Sequence, residues 1–463
     1  MKQFLTTGFS RAARLALIAL ACGASPAWSQ SPAGQAESVT QPVQQPDYLH
    51  RVAPGETLER LARRLMEEPR RYPEIARHNG LSDSDVLAPG QMLRFPMPYL
   101  KMAAADATVT AVKGQVAIDG RSLVVGAKVP PQAEVVTGED GQITLKLADG
   151  SEIRIQAGSR LKIDDSRTNA TTGSRSIRLN LSRGRIETDV APATSRASRY
   201  EINTPTAALA VRGTSFRAAA LETSATTEVL EGKVAASVVT TTGAAAVDVS
   251  QGFGTKASLG KPPLPPKPLL KAPDLARVAR LIEATGAELA FAGVAGARQY
   301  RGLVAEDARF ERIVHQAVSP EPLVRAAALA DGEYFFRARA IDSDGLEGWN
   351  ADHRFRVKAN PRPPGISEPA PLGVLRQPTL ARMALTFRWD EVPGATGYIL
   401  QTAADAGFSV ELTEVRVNGS RHQVEVASSP RRVVYWRVRT VDAKGESGPA
   451  GIAQAFRVGS DTL

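Results

Sequence analysis

The chain has 463 residues, which exceeds one ordinary domain and predicts three to four. Its formal charge of +9 is spread without a dense Lys/Arg block and without basic–aromatic interleaving, which argues against a nucleic-acid partner. Its single cysteine excludes a disulfide framework.

The first segment reads as an export signal. Lys2, Arg11 and Arg14 precede the apolar run Leu15–Ala24, and Ala27 and Ser29 offer small residues for cleavage before Gln30. A run of roughly ten apolar residues is too short for a permanent span, and no other segment approaches the required ~20. The mature chain is therefore expected to be soluble, periplasmic and without a membrane span. Cys22 lies inside the signal. Lipoprotein signals usually carry leucine three residues before their cysteine, and Ala19 stands there, so cleavage is favoured over lipid attachment at Cys22. Residues 30–47 are polar and rich in Gln, Pro and Ser, which predicts a disordered leader.

Residues 48–98 predict a small strand–helix–helix–strand module. Val52 ends a short strand and Pro54–Gly55 turns the chain. Thr57 caps a helix whose apolar face is Leu58, Leu61, Ala62 and Leu65. A second helix in "RRYPEIARHNGL" stops at Gly80, and "VLAPGQMLRFP" returns as a strand. Val52, Gly55–Leu58, Tyr72–Ile75, Asn79, Leu81, Pro89–Gln91, Leu93 and Pro96 together resemble the LysM domain, with Glu56 and Tyr72 standing where aspartate and tryptophan are commoner. The resemblance implies binding of peptidoglycan or another N-acetylglucosamine-containing glycan between two loops, here Gly55, Glu56, Thr57 and Leu58, and Leu81, Ser82 and Asp83. Backbone amides would grip the N-acetyl group, and Leu58 and Leu81 would contact its apolar faces.

Residues 107–259 alternate as strands. Ile143, Leu145 and Leu147, then Ile153 and Ile155, Leu161 and Ile163, and Ile177, Leu179 and Leu181 mark one apolar face each, with a hairpin turn at Asp149–Gly150. The run "TPTAALAVRGTSF", Thr204–Phe216, breaks an apolar strand with Arg212 and Gly213. It lacks the glycines, the Lys-Ser/Thr pair and the following helix of a phosphate loop. It reads instead as a β corner, with Gly213 at positive φ and Arg212 satisfying carbonyls or pairing with a carboxylate such as Glu231. With "VLEGKV", which holds Glu231 and Gly232, the run resembles the FecR domain of iron-signalling regulators. That likeness implies an all-β module for sensing or protein contact, with Arg212, Gly213, Thr214, Glu231 and Gly232 structural or partner-contacting. Those regulators carry a cytoplasmic anti-sigma segment and a membrane span before this domain. Here an export signal and a LysM-like module stand instead, so transmembrane control of a sigma factor is not expected.

Residues 260–285 predict a stiff proline linker, "KPPLPPKPLLKAP", followed by a short helix capped by Asp274 and built on Leu275, Val278, Ala279 and Ile282. The tail repeats itself over about one hundred residues, the size of a sandwich domain. "FAGVAGARQY" aligns with "WDEVPGATGY", and "FFRARAIDSDG" with "YWRVRTVDAKG", giving units over 286–359 and 379–459 joined by a second proline-rich linker, 360–378. Trp389, Tyr398 and the Tyr435 strand resemble the fibronectin type III core, with Phe291 replacing tryptophan in the first copy.

The five histidines, His50, His78, His315, His353 and His422, form no metal spacing, and no GxSxG elbow is present. No cofactor and no catalytic residue is expected. The sequence thus predicts a multi-domain, mainly β, non-enzymatic envelope protein. It would hold peptidoglycan through its first module and meet an unidentified protein, a membrane signalling receptor in one version, through the others. A wall-bound scaffold and an unrecognised wall hydrolase are the alternatives.

Overall fold

The computed structural model describes residues 47–193, 195–240, 243–368, 374–375, 382–427 and 432–458. The export signal with Cys22, the leader up to residue 46 and most of the second proline linker lie outside the described residues. All described residues belong to one unit that begins at Thr40. Strands dominate, and the two α-helices among the described residues belong to the first module.

In that module strand Tyr48–Arg51 pairs antiparallel with Met92–Phe95. Between them run helices Leu58–Leu65 and Tyr72–His78. The heptad-like spacing of Leu58, Leu61, Ala62 and Leu65 buries all four against Ile75, Leu93 and Phe95. Each of the three leucines contributes about 1.5–3 kcal/mol by leaving water.

The middle body is built on the 15-residue strand Arg175–Asp189, which belongs to two sheets at once. Its first part pairs with Arg160–Thr168 and, in parallel, with Arg199–Asn203. Its second part pairs with Glu152–Ile155 and Ser215–Ala220. The sheets wrap barrel-like round one core. All ten alternating residues from Ile143 to Leu181 that the pattern marks as apolar are buried in it.

The segment after the middle body differs from expectation. No helix follows Asp274. Its carboxylate accepts from Ala276 N in a short turn, and Leu281–Ile282 forms a strand beside Arg356–Val357. The apolar residues at helical spacing are drawn apart instead, with Leu275 and Val278 entering the core of the first tail unit. Tertiary burial overrides a weak helical pattern there. The proline linker is also no free spacer. Leu264 and Thr255 bond to one another's segments, Leu269 N donates to Gly252 O, and Lys267–Pro268 pairs with Phe253–Gly254.

Each tail unit is a two-sheet sandwich. In the first, five strands from Leu281 to Val357 face the pair Ala287–Ala290 and Leu323–Ala326. In the second, Ile366–Glu368, Arg382–Trp389 and Arg421–Ala427 face a larger sheet. The internal repeat extends to atomic detail. Phe291 meets Tyr300 at 5.3 Å and Trp389 meets Tyr398 at 5.5 Å. Each tyrosine hydroxyl accepts a backbone N–H six residues earlier, from Val294 and Val392 respectively, at 2.8 Å. Arg337 lies over Phe310 at 4.0 Å and Arg437 over Phe408 at 3.9 Å.

Candidate functional site

The first module presents its two loops differently. Gly55, Ser82 and Asp83 are exposed and Leu81 is half-buried. Thr57 caps the first helix, its hydroxyl accepting from Arg60 N at 3.3 Å. Leu58 is wholly buried in the core, so its side chain cannot touch a ligand. That corrects the expectation of a Leu58 side-chain contact: the first position of an amphipathic helix belongs to the apolar stripe. Glu56 is a tie within the module. One carboxylate oxygen accepts from Ala53 N at 2.9 Å and meets His50 Nε2 at 2.8 Å, and the other accepts from Arg64 at 2.7 Å. Partial burial opposes its ionisation, but the Ala53 N–H, His50 and Arg64 prevail and hold its carboxyl down to about 2. Glu56 therefore shapes the loop through its partners, strand, turn and helix.

In the middle body Arg212, Gly213 and Thr214 form the corner where the chain leaves one sheet, at Ala208–Val211, and enters the other, at Ser215–Ala220. Gly232 makes the reverse passage, from Ser224–Glu231 to Lys233–Thr240. The two corners pack back to back. Gly213 has φ +59° and Gly232 φ +83°, and a Cβ on Gly232 would come within 2.9 Å of Gly213 O. Thr214 is buried, and its hydroxyl donates to Lys233 O at 3.0 Å, stapling the corners together. A register shift between Ser215 and Phe216 completes a bulge.

Arg212 does not play the role expected of it. It is exposed, and among the described residues it forms no ion pair with Glu231, itself exposed. Thr214 satisfies the corner carbonyls instead, which leaves the guanidinium turned to solvent.

Sequence reasoning missed a buried charged cluster between the middle body and the first sandwich. Arg339, Glu347, Glu187, Arg217 and Glu228 are all buried. Arg339 donates to Glu347 at 2.9 Å, to Asn350 at 2.6 Å and to Glu187. Arg217 donates to the carbonyls of Glu347 and Gly348, both at 2.8 Å. Arg185 and Arg301 converge on the other oxygen of Glu347, at 3.0 and 2.6 Å. Burial opposes ionisation of Glu187, but Arg339, Arg154 and Arg217 hold it at about 2. Burial likewise opposes ionisation of Glu347, and Arg301, Arg339 and Arg185 hold it well below the usual carboxylate range. Burial pushes Glu228 up, and Glu347 adds to that against the pull of Arg217.

Among the described residues, no group of three or more His, Cys, Asp or Glu is placed to hold a metal ion. No helix there is long and apolar enough to cross a membrane.

Comparison with known families matches residues 50–96 to the LysM domain and residues 133–235 to the FecR protein family. Both are binding or signalling families, and no enzyme family is indicated. No curated protein matches the chain. Among solved structures, a candidate anti-sigma factor from Parabacteroides distasonis is 16% identical over 29% of this chain, with a TM-score of 0.24. The chain spans 59% of that protein's length. A two-domain fibronectin type III segment of chicken tenascin is 14% identical over 41% of this chain and 99% of its own, with a TM-score of 0.20. Fibronectin(III)-like modules from Clostridium thermocellum are 12% identical over 41% of this chain and 93% of theirs, also at 0.20. Such low scores leave the sandwich assignment resting on this chain's own strand pairing and cores. The chain thus combines a LysM-like module, a FecR-like body and two fibronectin III-like sandwiches, one after another.

Proposed function

We propose that this is a non-enzymatic envelope protein, exported to the periplasm, that holds peptidoglycan through its LysM-like module and meets a protein partner through its FecR-like body and sandwiches. The LysM match over residues 50–96 carries the reading. The exposed Gly55, Ser82 and Asp83 and the half-buried Leu81 are its contact set, with Thr57 and Glu56 holding the first loop in shape. Backbone N–H groups at these loops suit the N-acetyl carbonyl, and Leu81 suits an apolar sugar face. Leu58 contributes backbone alone.

The exposed Arg212 on a rigid corner favours partner contact over a purely structural scaffold. In the signalling version, the FecR-like body reports its state to a separate membrane receptor.

Co-sedimentation with purified peptidoglycan tests the reading. The full mature chain is expected to pellet with the wall, and a chain lacking residues 48–98 to stay in solution. Equal pelleting of both chains would refute wall binding by this module, and release of muropeptides in the same tube would establish a hydrolase instead.

A further inference from the structure

Beside the Arg212 corner lies a crevice that none of the roles above uses. Arg175, Ser198, Arg199, Tyr200 and Arg212 line it, together with Asp149. Gly213 lies on the lining and packs closely on the neighbouring Pro192, where a Cβ would stand 3.3 Å from Pro192 Cα. Two polar atoms on the lining have no hydrogen-bond partner among the described residues. Arg175 Nη1 is buried and makes no hydrogen bond, since the nearest Asp149 oxygen is 3.9 Å away. Ser198 Oγ is buried and equally unpartnered. Asp149 already spends its two oxygens on Ser151, accepting from its N–H and its hydroxyl at 2.8 Å each. Of the three guanidinium groups on the lining, Arg199 already pairs with Glu201, Arg175 keeps an unpaired N–H and Arg212 stands exposed at the rim, while the Asp149 carboxylate is engaged by Ser151. Buried donors left unpaired cost free energy that an acceptor would recover.

We propose that this crevice receives a single carboxylate of a protein partner. The charge calls for an anion, and arginines bind carboxylates through paired N–H donors. The volume of about 20 Å³ has room for one or two water-sized atoms, which fits the two oxygens of a carboxylate entering end-on. The entering group accepts from Arg175 Nη1 and Ser198 Oγ, and Arg212, free at the rim, closes over it. This rests on the proposed partner-binding role of the FecR-like body and gives that role a chemistry.

The test is arginine side-chain NMR of the full mature chain. The probes are an N-acetylated tetrapeptide with a free C-terminal carboxylate, its C-terminal amide, an end-blocked peptide with one internal glutamate, and inorganic phosphate at matched ionic strength. Saturable shifts of Arg175 and Arg212 signals are expected with a carboxylate peptide and not with the amide. The tighter of the two carboxylate peptides identifies a chain terminus or an acidic side chain as the source. Arg212→Ala is expected to weaken binding about tenfold, with partial recovery in Arg212→Lys. Absence of saturable shifts, equal binding of the amide or of phosphate, or an unchanged affinity in Arg212→Ala would each overturn the proposal. Arg212→Ala is expected to pellet with peptidoglycan like the parent chain. A variant that loses carboxylate binding and keeps wall binding supports the crevice. Parent chain that ignores carboxylates while still crosslinking a partner through the FecR-like body sinks the crevice and leaves the broader role standing.

Discussion

Arg339 and Arg439 occupy matching places in the two sandwiches, yet their surroundings differ. Arg339 is wholly buried among Glu187, Glu347 and Asn350. Arg439 is partly exposed and donates to Glu283 of the preceding sandwich at 2.6 Å. The lysines beside them repeat the theme. Lys267 bonds Asp342 and Asp344 at the first joint. Lys358 reaches Glu446 at 2.8 Å at the second, where Glu446 is 48% exposed. Both sandwiches thus approach the preceding module with the same strand and the same aspartate turn. The first joint buries an arginine–glutamate cluster away from water, whereas the pairs of the second each keep a partly exposed partner. Buried ions cost several kcal/mol each to desolvate and hold only as a complete set, whereas exposed pairs contribute little. The first joint should therefore fix the sandwich to the FecR-like body, and the second should let the last sandwich adjust.

Glu347→Ala should break this contrast most strongly. It strips Arg339, Arg185 and Arg301 of a shared partner and should cost about 3–5 kcal/mol in urea unfolding of the full chain. The pH dependence comes next. Glu187 and Glu347 have carboxyls depressed from the ordinary 4.5, Glu187 to about 2. A depressed carboxylate stabilises fully above its unfolded value, so this contribution should be lost as pH falls from 4.5 towards 2. In a pH series of melting temperatures, Glu187→Gln should flatten that acid limb.

Glu228 has the opposite sign. Its carboxyl is raised, so the folded state retains a proton longer and stability falls as pH rises from 4.5 to the folded value. Glu228→Gln should abolish that decline and change stability at acid pH by less than ~1 kcal/mol in the same series, because the neutral form is the one it mimics. At the second joint Lys358→Ala should cost no more than ~1 kcal/mol, an effect that added salt removes. The smallest effect belongs to Arg212→Ala, within ~0.5 kcal/mol of the parent by urea unfolding, since the exposed guanidinium has no partner among the described residues.

Much of this architecture was legible in the sequence. The alternation from Ile143 to Leu181 reports one buried face per strand, and the run from Leu58 to Leu65 reports a helix. The duplicated tyrosines mark the sandwich repeat before any contact is seen. The charged joint was not legible, for a physical reason. In "SFRAAA" and "YFFRARAID" the arginines alternate with core residues and read as facing water. Their strands do turn those residues outward, but another module covers that face. The cluster assembles from positions as distant as Glu187 and Arg339, and only the packed chain brings them together. The helix expected after Asp274 failed for a related reason, because Leu275 and Val278 pack into the first sandwich's core rather than along one helical face. At the Arg212 corner the turn was readable from Gly213, but not the direction of the arginine, because Thr214 could serve the same carbonyls.

Calorimetry of the full chain and of Glu347→Ala tests most directly whether the first joint makes one unit of the FecR-like body and its sandwich. The parent is expected to melt these two modules in a single transition, with the last sandwich separate, and the variant to split that transition in two. Separate transitions for the body and the first sandwich in the parent chain would contradict the account.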